Sequence, residues 1–66
     1  MIYRLGSILT YRPFVGSYRT VKVTCLVPDI GCGRPGFDGA ILDLDLVETK
    51  DTVWGYDDQI VTVERY

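Results

Sequence analysis

The chain contains no histidine, so it lacks the commonest catalytic base. A Ser-His-Asp or Cys-His nucleophile needs an imidazole that accepts a proton near neutral pH, and neither can be built from these residues. Carboxylates are present, but Val47 follows Asp43 and Asp45 where a calcium loop of the EF-hand type needs another oxygen ligand. The glycines of GCGRPG are not followed by the GK[ST] of a phosphate-binding loop. We therefore expect no enzymatic activity, no cofactor and no metal.

Cysteine is scarce, with Cys25 and Cys32 as its two occurrences. Two cysteines are too few for the disulfide scaffold of a small secreted domain, and neither lies in a zinc-ligand pattern. Cys25 falls in an alternating apolar run, which predicts a buried, small apolar side chain. Cys32 is predicted to be a free thiol in a loop.

Long apolar runs are also missing. No stretch approaches the roughly 20 apolar residues that a membrane-spanning helix needs. Polar residues interrupt the N-terminal sequence MIYRLGSILTYR before the apolar segment of a signal peptide can form. These features predict a cytoplasmic protein.

Acidic residues are absent from residues 1–28, which carry four basic residues and a formal charge of +4. Residues 29–66 hold all nine acidic residues and three basic ones, so their formal charge is −6. Cross-strand charge pairs would explain this division if the two halves interleave in one sheet. A basic patch for an anionic partner, or self-association between oppositely charged faces, is the alternative explanation.

Tyrosine and arginine recur as a dipeptide three times in the basic half. Bases stack on aromatic rings while cations follow phosphates, so this composition suits a single-stranded nucleic acid. The pI of about 4.7 argues against a dedicated nucleic-acid binder. The alternative site would consist of Arg4, Tyr11, Arg12, Tyr18, Arg19 and Lys22.

Apolar residues alternate with polar ones wherever a pattern is visible, which predicts half-buried strands. YRTVKVTCLV places Val21, Val23, Cys25 and Val27 on one face, and GAILDLDLVE places Ala40, Leu42, Leu44 and Leu46 inside. QIVTVER places Val61 and Val63 opposite Ile60, and SILTYR and DTVWGY are shorter candidates. No window shows a helical stripe.

The connections between these strands indicate the topology. A short turn at RPFVGS, the loop PDIGCGRPGFD, a tight turn at ETKD and a single 3₁₀ turn at GYDDQ join five strands in order. The stretch GRPGFDG has three glycines and a proline, and it is predicted to be neither helix nor regular strand.

This element order resembles an SH3-like small β-barrel of the Tudor or KOW type, formed as one domain by residues 1–66. The first connection lacks the long acidic loop of true SH3 domains, and their peptide-groove residues are missing, so polyproline binding is not carried over. GRPGFDG and VWGYDDQI also resemble segments of small bacterial proteins, a resemblance that implies no activity. An OB-fold is the main alternative architecture.

In an SH3-like arrangement the second connection lies near the turn before the fifth strand. The predicted partner-binding surface is therefore Arg34, Phe37, Trp54, Tyr56 and Asp57, whose aromatic and charged side chains are typical of protein interfaces. Phe37 could equally fold back to close the barrel, and Trp54 could belong to the core.

The sequence thus predicts a non-catalytic interaction module that binds a protein partner or itself. A homo-oligomer suits a chain this small and hydrophobic, because small domains bury little of their own surface. The alternatives are the nucleic-acid-binding module described above and an accessory or inhibitor of an enzyme.

Overall fold

The computed structural model describes residues 3–66, which form five β-strands and one 3₁₀ turn. The prediction of an all-β chain with a single 3₁₀ turn before the last strand is confirmed. No helix in this part of the chain is long and apolar enough to cross a membrane. The strands are β1 (Ile8–Tyr11), β2 (Arg19–Gly31), β3 (Arg34–Leu42), β4 (Glu48–Tyr56) and β5 (Ile60–Arg65), with the 3₁₀ turn at Asp57–Gln59.

All five strands pair antiparallel in one sheet, in the order β4-β3-β2-β1-β5. The 13-residue β2 pairs with β1 near its start and with β3 along most of its length. Among residues 3–66 no ladder joins β4 to β5, so the sheet is open between these two edges. This strand order and the position of the 3₁₀ turn are compatible with a small SH3-like barrel.

Phe37 occupies the centre of the core and is completely buried. The rings of Tyr3 and Tyr11 meet it edge-on, with centroids 6.0 and 5.5 Å away. Edge-to-face geometry is favourable because the positive edge of one ring meets the negative face of another. The buried cluster around Phe37 comprises Leu9, Tyr11, Val21, Val23 and Ile60. The alternation predicted for Val21 and Val23 is therefore confirmed.

The segment predicted as a long irregular loop is a β-hairpin, so that prediction is wrong. β2 continues to Gly31 and β3 begins at Arg34, which leaves Cys32 and Gly33 as a two-residue turn. Both have positive φ (55° and 75°), as the tightest hairpin turns require. The Gly33 backbone N–H donates to Asp29 Oδ1 at 3.0 Å. Cys32 is an exposed free thiol, as predicted.

The turn between β3 and β4 lies at residues 43–47, earlier than predicted. One carboxylate oxygen of Asp43 accepts hydrogen bonds from the backbone N–H groups of Asp45 and Val47. Such local bonds compete with the ladder and end the strand. Leu44 and Leu46 were predicted to be buried, but they are 103% and 53% exposed. The ETKD segment begins β4 instead of forming the turn.

Two register shifts turn side chains to the face of the sheet opposite to the one that simple alternation predicts. One lies in β2 between Val23 and Cys25, and Cys25 is exposed instead of buried as predicted. The second lies in β5, where Ile60 pairs with Tyr11 and Thr62 with Thr10. As a result Val61 is exposed, whereas Ile60 is buried and Val63 packs against the core. A bulge adds one residue to a strand and thereby reverses the faces beyond it.

Candidate functional site

Trp54 and Tyr56 lie two residues apart on β4 and therefore share one face of the strand. Val53 and Gly55 face the opposite way, since Val53 packs against the core and Gly55 adjoins the rings of Phe37 and Tyr11. Trp54 consequently remains 51% exposed. The question of whether Trp54 is a core or a surface residue is thus resolved in favour of the surface.

Three aromatic rings form a continuous row, in which Phe14 and Trp54 are exposed and Tyr56 between them is partly buried. Trp54 meets Tyr56 edge-to-face with centroids 5.6 Å apart, and Tyr56 meets Phe14 in the same way at 6.1 Å. Phe14 lies between β1 and β2 and is 74% exposed. The sequence analysis missed Phe14, although an aromatic residue between Pro13 and Gly16 in a polar connection was a usable signal.

Arg34 joins this row from the start of β3. Its guanidinium carbon lies 4.1 Å from the centroid of the Tyr56 ring, a cation–π contact. The same guanidinium forms an ion pair with Asp58, the second residue of the 3₁₀ turn. Arg34 is therefore held in one orientation beside the rings. We call Phe14, Arg34, Trp54 and Tyr56 the aromatic surface.

A groove of about 300 Å³ lies beside Trp54. Pro13 and Phe14 line one part of it, and Thr52, Val53 and Trp54 line another. The other lining residues are Tyr11 of β1 and Gln59 of the 3₁₀ turn, and none comes from β3, so the groove lies on the side of β4 away from β3. In residues 3–66 the outer edge of β4 has no pairing strand. The groove therefore combines apolar side chains with the backbone of a sheet edge.

Gln59 also lines the groove, and its hydrogen bonds hold two neighbouring segments together. Its side-chain oxygen accepts a hydrogen bond from the Tyr56 backbone N–H, and its side-chain nitrogen donates to the Arg12 carbonyl, both at 2.9 Å. The Arg12 backbone N–H in turn donates to the Gln59 carbonyl at 2.8 Å. These three bonds tie the connection that carries Phe14 to the turn that follows Tyr56.

Phe37 does not belong to the aromatic surface, contrary to the prediction. The prediction treated its segment as an exposed loop, but the segment is strand β3, which lies between β4 and β2, and the side chain is fully buried. A side chain with no exposed area cannot contact a partner. Of the predicted residues, Arg34, Trp54 and Tyr56 are brought together as expected.

Asp57 is half-buried, and its carboxylate is engaged within the chain. The Tyr3 hydroxyl donates to Asp57 Oδ1 at 2.5 Å and lies 3.0 Å from the Gly36 carbonyl oxygen. Asp57 therefore anchors the 3₁₀ turn to the N-terminal segment, next to the aromatic surface. Asp58, its neighbour, forms the ion pair with Arg34 that was not predicted.

This anchor makes stability sensitive to alkaline pH. Burial raises the pKa of Tyr3, and the hydrogen bond to Asp57 and the charge of that carboxylate raise it further. Burial also raises the pKa of Tyr11, against the opposing charge of Arg19. Because the folded chain holds these phenol protons more tightly than the unfolded chain, their contribution is complete below pH 10 and declines as pH rises above about 10.

We expect Tyr3→Phe to make this alkaline decline shallower without abolishing it, since Tyr11 remains. The measurement is urea unfolding of the wild type and Tyr3→Phe between pH 8 and 11. Tyr3→Phe should also be less stable at pH 8, by about 1 kcal/mol for the lost hydrogen bond. If the free energy of unfolding declined with pH equally in both proteins above pH 10, the Tyr3 proton would not stabilise the fold.

The residues of the predicted nucleic-acid site do not form one free surface. Tyr11 is buried, so its inclusion is wrong. Arg4 stacks on the Tyr66 ring at 4.5 Å, and Lys22 pairs with Glu48 at 3.6 Å. The residues of the set that remain exposed outside these contacts are Arg12, Tyr18 and Arg19.

Comparison with known proteins returns no family model, no curated sequence and no solved structure that matches this chain.

Proposed function

We propose that this chain is a non-catalytic interaction module that binds a protein partner through the aromatic surface. The observation that supports the proposal best is the row of rings in which the exposed Phe14 and Trp54 each meet the partly buried Tyr56 edge-to-face. Trp, Tyr and Arg dominate the binding energy of protein interfaces because they offer large rigid contact areas. Here all three residue types occur side by side.

Parts of the aromatic surface already make contacts within the chain before any partner binds. Arg34 is fixed by the Tyr56 ring and by Asp58, and the two ends of the groove are joined through Gln59. Ordering a long side chain on binding costs roughly 0.5–1.5 kcal/mol, and this cost is smaller where the side chain is already ordered. The arrangement is therefore suited to recognition.

The groove beside Trp54 favours an extended polypeptide as the bound segment. The unpaired edge of β4 offers backbone donors and acceptors, and the adjacent apolar walls accept a side chain. Extended peptides commonly bind in this way, with the backbone supplying affinity and a pocket supplying specificity. The partner is either a different protein or a second copy of the chain.

We expect Trp54→Ala to weaken partner binding at least about 30-fold, the effect of removing a central interface residue. Trp54 is the single tryptophan of the chain, so its fluorescence reports partner binding directly in the wild type. The matched control is Leu5→Ala, which truncates a side chain of similar exposure (59%) that does not line the groove. The experiment captures proteins on immobilised wild type, Trp54→Ala and Leu5→Ala, and then measures the Kd of each captured protein.

A partner lost with Trp54→Ala and kept with Leu5→Ala supports the proposal. Equal capture by all three proteins would place binding elsewhere. Nucleic acid that co-purifies at low salt and is released at high salt would favour the alternative module, because phosphate contacts weaken steeply with salt. That binding would depend on Arg12, Tyr18 and Arg19, which Trp54→Ala leaves intact.

A further inference from the structure

The exposed apolar side chains concentrate in two clusters of opposite charge. The first, which we call the basic cluster, lies between β1 and β2, where Phe14, Val15 and Tyr18 are 60–89% exposed. Arg12 and Arg19 flank it. The second, the acidic turn, lies between β3 and β4 and exposes Leu44, Leu46 and Val47 between Asp43, Asp45 and Glu48.

The acidic turn is an ordered structure. Two backbone bonds close it, from Asp43 N–H to the Val47 carbonyl and from Leu46 N–H to the Asp43 carbonyl. The Asp43 carboxylate adds the two bonds to backbone N–H groups described above. The chain thus holds Leu44 at the tip of a rigid turn although that side chain contacts nothing that shields it from water. A fixed, fully exposed leucine is suited to insertion into an apolar groove.

The groove beside Trp54 is mainly apolar, and two arginines neighbour residues of its lining. Its walls, Pro13, Phe14 and Trp54, are apolar, and Arg12 directly precedes Pro13. Arg19 pairs across the strands with Tyr11, which also lines the groove. Among residues 3–66 the ion pairs are Lys22–Glu48 and Arg34–Asp58, so Arg12, Arg19 and Asp45 lie outside them.

We propose that the acidic turn of one copy docks into the groove of a second copy. Leu44 occupies the space between Phe14 and Trp54, and the carboxylates beside it face Arg12 and Arg19. This inference rests on the proposed function, because it names the occupant of the same groove. The contact joins two different surfaces, so it produces either a closed ring or an open chain of copies.

The first measurement is sedimentation velocity of the wild type from 5 µM to about 500 µM, a range that includes the micromolar affinities of small interfaces. We expect mass to increase with concentration and Trp54 emission to shift to shorter wavelength as Leu44 covers the ring. Leu44→Asp should weaken association about 10- to 100-fold, which corresponds to the loss of one buried leucine. Leu44→Asp should retain its melting temperature, since the side chain is fully exposed.

Complementation of two inactive variants distinguishes this contact from a symmetric one. Leu44→Asp has an intact groove but a turn that should no longer dock. Trp54→Ala has an intact turn but a groove that should no longer accept it. Each variant alone should be monomeric, whereas an equimolar mixture should form a 1:1 heterodimer and nothing larger. Pro13→Ala combined with Phe14→Ser provides a second groove-deficient variant if Trp54→Ala does not fold.

Three results would overturn the inference. Self-association of Leu44→Asp at wild-type strength would point to a groove-to-groove contact. Self-association of Trp54→Ala would point to a turn-to-turn contact. A wild type that stays monomeric at every concentration would show that a second copy does not occupy the groove. The proposed function would still hold in that case if a different protein were captured through Trp54.

Discussion

Phe37→Ala is expected to leave the chain unfolded or close to unfolded at 25 °C. Truncating a fully buried phenylalanine costs about 3–5 kcal/mol, because the transfer energy is lost and a cavity remains. A 66-residue domain has a total stability of only about 3–10 kcal/mol. The loss is large here because the Phe37 ring is the shared partner of Tyr3 and Tyr11, so β1, β3 and the segment before β1 meet on it.

The matched control is Phe14→Ala, which removes the same side chain from an exposed position. We expect Phe14→Ala to change the free energy of unfolding by less than about 0.5 kcal/mol, as for most surface substitutions, and to weaken partner binding. Urea unfolding monitored by circular dichroism compares the two variants with the wild type. If Phe37→Ala melted like the wild type while Phe14→Ala unfolded, the assignment of core and surface would be reversed.

Gly36→Ala should destabilise the fold by about 1–3 kcal/mol or more, through overpacking. A Cβ atom at this position would lie 2.1 Å from the Gly55 carbonyl oxygen and 2.6 Å from the Ile30 side chain. The first neighbour is backbone of the adjacent strand β4, so the alanine fits only if the two strands separate. Gly36 pairs with Tyr56, and separation would therefore displace the aromatic surface as well.

Gly31→Ala is the control for this substitution. Its Cβ would meet the Tyr56 hydroxyl at 3.2 Å, the end of a side chain that can move. We expect a lowering of the melting temperature by at least about 4 °C for Gly36→Ala, since each kcal/mol shifts Tm by 4–8 °C in a domain of this size. Gly31→Ala should shift Tm by less than half as much. Equal shifts would show that strand separation is not the cause of the effect.

Local patterns in the sequence predicted the existence of the strands and some of their buried positions. The alternation of Val21 and Val23, and of Ala40 and Leu42, depends on the two-residue period of an extended chain, which acts over a few residues. The 3₁₀ turn at Asp57–Gln59 was predicted from its neighbouring residues for the same reason. Such features need no knowledge of the rest of the molecule.

Predictions failed where one residue changed the local geometry. Cys25 and Val61 face outward because bulges shift the register, and a one-residue shift reverses every following side chain. Leu44 is exposed because the Asp43 carboxylate bonds to the turn backbone. The glycines around Arg34 led to a prediction of irregular backbone. In the structure Gly33 lies in a two-residue turn, and Gly36 allows β3 and β4 to approach closely.

The sequence by itself determined an all-β chain and the division of charge between its two halves, and it predicted an interface that includes Arg34, Trp54 and Tyr56. Only the tertiary structure decided that Phe37 is core, that Phe14 joins Tyr56, and that the edge of β4 lies open beside them. These contacts join residues more than 20 positions apart, and their distances depend on how the strands pair and twist, which no local pattern encodes.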